Sequence, residues 1–238
     1  MSSLQVLCAG AARGLVSALG GQFLAESGFE IRGTFGAVGS MREKLLAGEA
    51  CDLIVLTDAL IGELARDGWV DPASRVALGR VRTGIAARAG DPVPGIADAQ
   101  SLRDSLMRAA AIYLPDPQRA TAGIHFVKVL RDLGIEELTA SRLRPFASGA
   151  AAMQAMAASG PPGSIGCTQV TEINYTEDVV LAGPLPARFE LCTTYCAAVC
   201  TRAAEPDAAR KLATLISGPG SAAIRALGGF EPLLAMPG

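Results

Sequence analysis

Histidine is nearly missing from this chain. His125 is the only one, so any catalytic triad or histidine-based zinc site would have to be built on it. Lysine is scarce as well: of 21 basic residues only Lys44, Lys128 and Lys211 are lysines. Aromatic residues make up 5% of the chain, the net charge is −2, and no basic run occurs, which together exclude non-specific nucleic-acid binding. No apolar run approaches the roughly 18 residues of a membrane span, so membrane insertion is not expected. No P-loop lysine follows Gly36-Ala37-Val38-Gly39-Ser40, and no dinucleotide fingerprint follows the first apolar segment. No cofactor is therefore expected. The first residues lack a basic segment followed by an apolar one, which reads as cytoplasmic for the sequence as written, or periplasmic if a signal peptide has been removed. What remains is half apolar and only 18% charged, the composition of a core-burying protein with one large domain or two small ones.

The six cysteines do not form a metal motif. Cys8, Cys51 and Cys167 sit in short apolar runs, where a thiol acts as a small hydrophobe. Cys192, Cys196 and Cys200 recur every fourth residue, but the segment from Leu191 to Cys200 has the β-branched and aromatic content of a strand. At about 3.3 Å per residue, successive thiols there lie roughly 13 Å apart, too far to share a metal or a disulfide. No metal site is expected.

The chain does contain a recurring junction: a short apolar strand, a loop of small residues, then an amphipathic helix. Leu4 to Cys8 leads through Ala9-Gly10-Ala11-Ala12-Arg13-Gly14 into a helix with Leu15, Leu19 and Phe23 on one face. Phe29 to Phe35 leads through Gly36 to Ser40 into a helix from Met41 to Leu46. Thr121-Ala122-Gly123 and Ser148-Gly149 open two more helices. Small residues let a ligand approach the backbone, and a helix start offers unpaired N–H groups at the positive end of its dipole. Four such starts facing one cleft would hold a small anion. Between them the apolar pattern alternates strand and helix throughout, which predicts an α/β protein with mostly parallel strands. Cys51 to Leu56 reads as a strand covered on both faces, Ser74 to Ala89 as extended chain, Leu143 to Phe146 and Ser164 to Thr168 as strands, and Asp207 to Ile216 as a helix.

In order and spacing, "LQVLCAGAARG", "GTFGAVGSMREKLLAGEACDLIVLT", "RVALGRVRTGIAARAGDPVPGIAD", "GIHFVKVLRDLGI", "GPLP" and "GPGSAAIRALGGFEP" resemble the type II periplasmic-binding-protein family, in its molybdate-binding-like branch. The resemblance implies two α/β lobes, each a mostly parallel sheet flanked by helices, with the ligand between them. Residues 1–81 and 186–238 would form the first lobe and 82–185 the second, with crossings near Arg80 to Gly84 and near Gly183 to Arg188. The family's ligand contacts carry over to Gly10, Ala11, Ala12 and Arg13, to Gly39 and Ser40, to Thr121, Ala122 and Gly123, to Ser148 and Gly149, and to Gln169. Oxyanion-binding relatives commonly place a serine in the first loop and a tyrosine near Gln169. Both hydroxyls are missing here, which shifts the expected ligand from molybdate toward an organic carboxylate, for which Arg13 and Gln169 are suited. An ABC transporter permease is the implied partner if the protein is exported.

A smaller set of relatives with this fold are aconitate isomerases, and the stretches around "RVALGRVRTGIAARAGDPVPGI" and "GPLP" are similar to them too. Two functions therefore stand side by side: a receptor that closes over a small anion, and an isomerase using the same cleft. Isomerisation needs a base as well as donors for the enolate-like charge, and the sequence names no base. Several candidates also have structural readings. His125 suits helix packing, Ser40 an N-cap, Asp52 a strand end and Asp58 a helix cap, while Arg13 reads equally as a solvated helix residue.

Overall fold

A computed structural model describes residues 2–233, which divide into two compact units. The first comprises the described residues of Met1–Val81 and Thr193–Gly238, and the second is Arg82–Cys192.

The first unit opens with β1 (Ser2–Ala9), α1 (Gly10–Ala18), α2 (Gly20–Ser27), β2 (Phe29–Gly36), α3 (Val38–Leu46), β3 (Leu53–Thr57) and α4 (Asp58–Arg66). The long strand β4 (Val76–Arg88) then carries the chain into the second unit. There follow α5 (Ala99–Arg108), β5 (Ile112–Pro115), α6 (Thr121–Asp132), α7 (Glu136–Thr139), β6 (Leu143–Phe146), α8 (Gly149–Ser159), β7 (Ile165–Gln169), α9 (Val170–Asn174) and β8 (Val179–Pro184). The chain returns to the first unit through β9 (Cys192–Val199), α10 (Pro206–Ser217) and α11 (Ala222–Gly228).

In the first unit β1 pairs in parallel with both β2 and β3, and β9 closes against β3 in antiparallel register. All five residues of β3 are buried, as its unbroken apolar run predicts for a strand covered on both faces. Asp52, 2% exposed, fixes the far end of this sheet: one carboxylate oxygen accepts from Gln5 N at 2.8 Å, and the other from Ala204 N at 2.7 Å and Glu205 N at 3.0 Å, at the entry to α10. In the second unit β5 pairs in parallel with β6 and β7, while β4 runs antiparallel to β7 and β8. The alternation of side chains along β5 sorts its core onto two faces. Ile112 and Leu114 pack with Leu102, Leu106, Phe126 and Leu130 of α5 and α6, whereas Tyr113 packs with Met153 and Met156 of α8.

Most strand and helix assignments made from pattern are found, including the strand that carries Cys192 and Cys196. All six cysteines are free thiols. Some boundaries differ. The first helix is two helices, because the chain reaches a cap at Leu19 and restarts at Gly20-Gly21. The helix expected from Met41 begins at Val38, so Ser40 is its third residue and Ala37 the N-cap. Serine therefore does not cap this helix. No helix among the described residues is long and apolar enough to cross a membrane.

Candidate functional site

Parallel strands put all their carboxyl ends on one edge of a sheet, and in open α/β sheets that edge is where ligands bind. In the first unit Ala9 lies opposite Gly36 in the β1–β2 register, so α1 and α3 begin side by side at the same edge. Neither start carries a side-chain cap: the N-cap residues are Ala9 and Ala37. The first N–H groups of both helices, at Gly10, Ala11 and Ala12 and at Val38, Gly39 and Ser40, thus have no intrahelical partner and no hydroxyl or carboxylate from the cap. The third helix at this edge differs. Thr57 caps α4, accepting from Leu60 N at 3.4 Å, and Asp58 adds an acid to its first turn. Burial pushes the Asp58 carboxyl up, but hydrogen bonds from Cys196 and Arg75 and the Arg75 charge outweigh it and hold the group below its usual range. That helix start is already served.

Arg13 is exposed, and its guanidinium carbon stands 5.7 Å from the centre of the Phe35 ring. The side chain is thereby held as a solvated cation on an aromatic face. Arg13→Ala is expected to weaken anion binding by no more than about 1 kcal/mol, the range of an exposed, solvent-screened ion pair. Titration calorimetry of the two proteins checks this, and a loss of several kcal/mol would place the guanidinium on the ligand.

The second unit has the same edge, formed by the ends of β5, β6 and β7, which lead to α6, α8 and α9. The α6 start is open in the same sense as α1 and α3: its N-cap is Ala120, with no side-chain bond, and Thr121, Ala122 and Gly123 form the first turn. Gly123 is required there, since a Cβ would fall on the carbonyl oxygens of Pro115 and Asp116. At the α8 start the acceptor is the protein's own carboxyl. Glu172, 7% exposed, accepts from Ala150 N at 3.2 Å and from Thr168 Oγ1 at 2.5 Å, while Ser148 Oγ accepts from Ala151 N at 3.2 Å. Burial raises the Glu172 carboxyl above its ordinary value, against the opposing effect of the hydroxyl of Thr168 and the N–H groups of Ala150, Gln169 and Gly149. Ser148 and Gly149 therefore lie at the expected edge, but the N–H groups of this turn are engaged from within the chain.

Gln169, the last residue of β7, is 3% exposed, and neither its amide nitrogen nor its amide oxygen has a hydrogen-bond partner among the described residues. Thr83 lies directly opposite it on β4, and Thr171 two residues on. Both threonines are buried, at 1% and 0% exposure, and their hydroxyls are likewise without partners. Leaving such groups buried and unbonded costs about 1–3 kcal/mol each, so a cluster of them is not what folding alone selects. His125, on α6, is otherwise committed: its Nε2 lies 2.8 Å from the Phe189 carbonyl oxygen, the packing role its helical position predicts. Sequence patterns pointed to Gln169 through the resemblance, but not to Thr83, Thr171 or Glu172. None of the three belongs to a strand–loop–helix junction of the recurring kind.

Comparison with known proteins accords with this geometry. A curated aconitate isomerase from a Pseudomonas species is 24% identical over 197 residues, covering 82% of this chain and 72% of that protein. The periplasmic molybdate-binding protein of Azotobacter vinelandii superposes with a TM-score of 0.77 at 23% identity, over 97% of this chain and 99% of that one. The sulfate-binding protein SubI of Mycobacterium tuberculosis gives 0.72 at 16% identity, over 98% and 88%. These structures share the two-lobed type II periplasmic-binding-protein fold with this α/β chain. The family model for bacterial extracellular solute-binding proteins matches residues 4–231, nearly the full length, and to that family the chain belongs.

Proposed function

We propose that the protein is a receptor for a small organic carboxylate. The observation that carries this reading is the set of helix starts without side-chain caps, α1 and α3 in the first unit and α6 in the second, each at the carboxyl edge of its own sheet. Charge-assisted bonds from such N–H groups contribute about 1.5–3 kcal/mol each, so a few of them support micromolar affinity. The proposed contacts are Gly10, Ala11 and Ala12, Gly39 and Ser40, Thr121 to Gly123, and Gln169, with Ser148 and Gly149 shaping the edge. The loop at Ala9-Gly10-Ala11-Ala12 has no hydroxyl side chain for a tetrahedral oxyanion, which favours a carboxylate over molybdate. If the protein is exported, its partner is the permease of an ABC transporter.

A ligand at about 100 times its dissociation constant stabilises the folded state by about 2.7 kcal/mol, which for a chain of this size raises the melting temperature by roughly 5–10 °C. Such a rise is expected with citrate or an aconitate, and calorimetry against molybdate and tungstate ranks the classes. Tight molybdate binding with no heat from any carboxylate would reverse the assignment. The isomerase relative supports a second reading, in which the same groups hold the enolate-like charge. Against it, the obvious proton carriers have other partners, His125 with Phe189 and Glu172 with the α8 start. Incubation with cis- and trans-aconitate, followed by NMR, decides: interconversion makes the protein an enzyme, and unchanged spectra leave it a receptor.

A further inference from the structure

We propose that the ligand carries a hydrogen-bond donor, a hydroxyl or an amino group, beside its carboxylates, and that Gln169 selects it. This rests on the carboxylate-receptor reading and narrows it. The Gln169 amide is 3% exposed with both polar atoms unpartnered, so exchanging its nitrogen and oxygen changes nothing: one group there must donate and the other must accept. Molybdate, sulfate and unsubstituted polycarboxylates in their ionised forms offer only acceptors. They can take the amide N–H, and they can take the hydroxyls of Thr83 and Thr171 by rotation, but they present lone pairs to the amide oxygen. The hydroxyls adapt to either kind of ligand and the amide does not. Opposite residues of an antiparallel pair project to the same face, so Thr83 and Gln169 present these atoms together. The Glu172 carboxyl is committed to Ala150 N and Thr168 Oγ1 at the α8 start and has no hydrogen bond to the Gln169 side-chain amide. No described residue donates to the Gln169 amide oxygen, so a donor on the ligand fills that place, while the open start of α6 takes negative charge.

The test compares four-carbon dicarboxylates of one skeleton by calorimetry: succinate, malate with a hydroxyl, and aspartate with an amino group. A site built around a donor rejects the analogue lacking it by a large factor, so malate or aspartate is expected to bind at least about tenfold more tightly than succinate, and the winner identifies the donor. In Gln169→Leu the preference should collapse to within about threefold, while the melting temperature of the ligand-free protein holds or rises, because an unbonded buried amide has been replaced by an apolar side chain. Thr83→Val, of the same shape, should reduce the preference less. The wild-type comparison stands even if a variant folds poorly. Equal affinity for all three ligands overturns the donor inference and leaves the receptor reading intact, whereas absence of heat from every carboxylate, the citrate and aconitates included, overturns both.

Discussion

Glu172→Ala is expected to destabilise the protein by about 4 kcal/mol, the sum of leaving buried donors unbonded and opening a cavity, and to lower the melting temperature by roughly 10 °C. The side chain closes the α8 start, and the backbone there has been shaped around it: at Gly149 a Cβ would collide with Thr168 Oγ1 and with the Glu172 carboxyl. Once the carboxyl is gone, the Ala150 N–H and the Thr168 hydroxyl have no replacement in the chain. Glu172→Gln keeps the shape and separates charge from packing. Burial raises the Glu172 carboxyl above its ordinary value of 4.5, so below that value folded and unfolded chains are both protonated and the group adds no pH dependence. As pH rises from there through the raised folded value, the unfolded chain releases its proton first and stability falls; above the folded value the loss is complete. Urea unfolding at a series of pH values should therefore show wild type losing ground to Glu172→Gln as pH climbs out of the carboxylate range. Parallel curves would mean that the carboxyl titrates normally and that its contribution is packing alone.

That such a group escaped detection in the sequence has a physical reason. The recurring junctions were legible because three constraints coincide in them: an apolar strand buried on both faces, small residues where the chain turns, and helical spacing afterwards. Leu53 to Thr57 falls within a residue or two of the strand expected from Cys51 to Leu56, whereas the first helix already begins at Gly10, inside the stretch that the pattern reads as loop, and stops at Ala18. Helix ends were less legible. Val38, Gly39 and Ser40 already have helical geometry although Gly39 and Ser40 are poor helix formers, since the first turn answers to the neighbouring strand ends more than to propensity. Glu172 lies on α9, whose five residues are too few to display a period, and its partners are 4 and 22 residues away. Thr83 is a β-branched residue in a strand, where threonine is ordinary, and only its pairing with Gln169 sets it apart. Residues whose role depends on what lies across a sheet leave no local trace. The same holds for Arg13: the pattern placed a cation beside a helix start, and only tertiary structure reveals that its guanidinium rests on Phe35.

The α6 start is the element on which the receptor reading depends most in the second unit, and Gly123→Ala tests it directly. The helix passes so close to the end of β5 that an added Cβ meets the backbone carbonyls of Pro115 and Asp116 rather than any movable side chain. Those carbonyls cannot retreat. Asp116 O accepts from Ala120 N at 3.1 Å, and the Asp116 carboxylate accepts from Gln118 N at 2.7 Å and Arg119 N at 3.1 Å, which ties the connecting loop to the strand end. The helix itself must shift, at an expected stability loss of about 3 kcal/mol, the upper range for overpacking a tight site. Its first-turn N–H groups shift with it, and the loss of one charge-assisted bond weakens carboxylate binding by at least about tenfold. Gly21→Ala is the control: it is also a glycine in the first turn of a helix, but nothing lies within 4 Å of the added Cβ. There the gain in helix propensity should leave stability equal or raise it by up to about 1 kcal/mol, with affinity unchanged. If Gly123→Ala matched that control in melting temperature and in calorimetric affinity, the α6 start would be neither clamped to β5 nor in contact with the anion, and the second unit would have to hold its share of the ligand through Gln169 and the buried threonines alone.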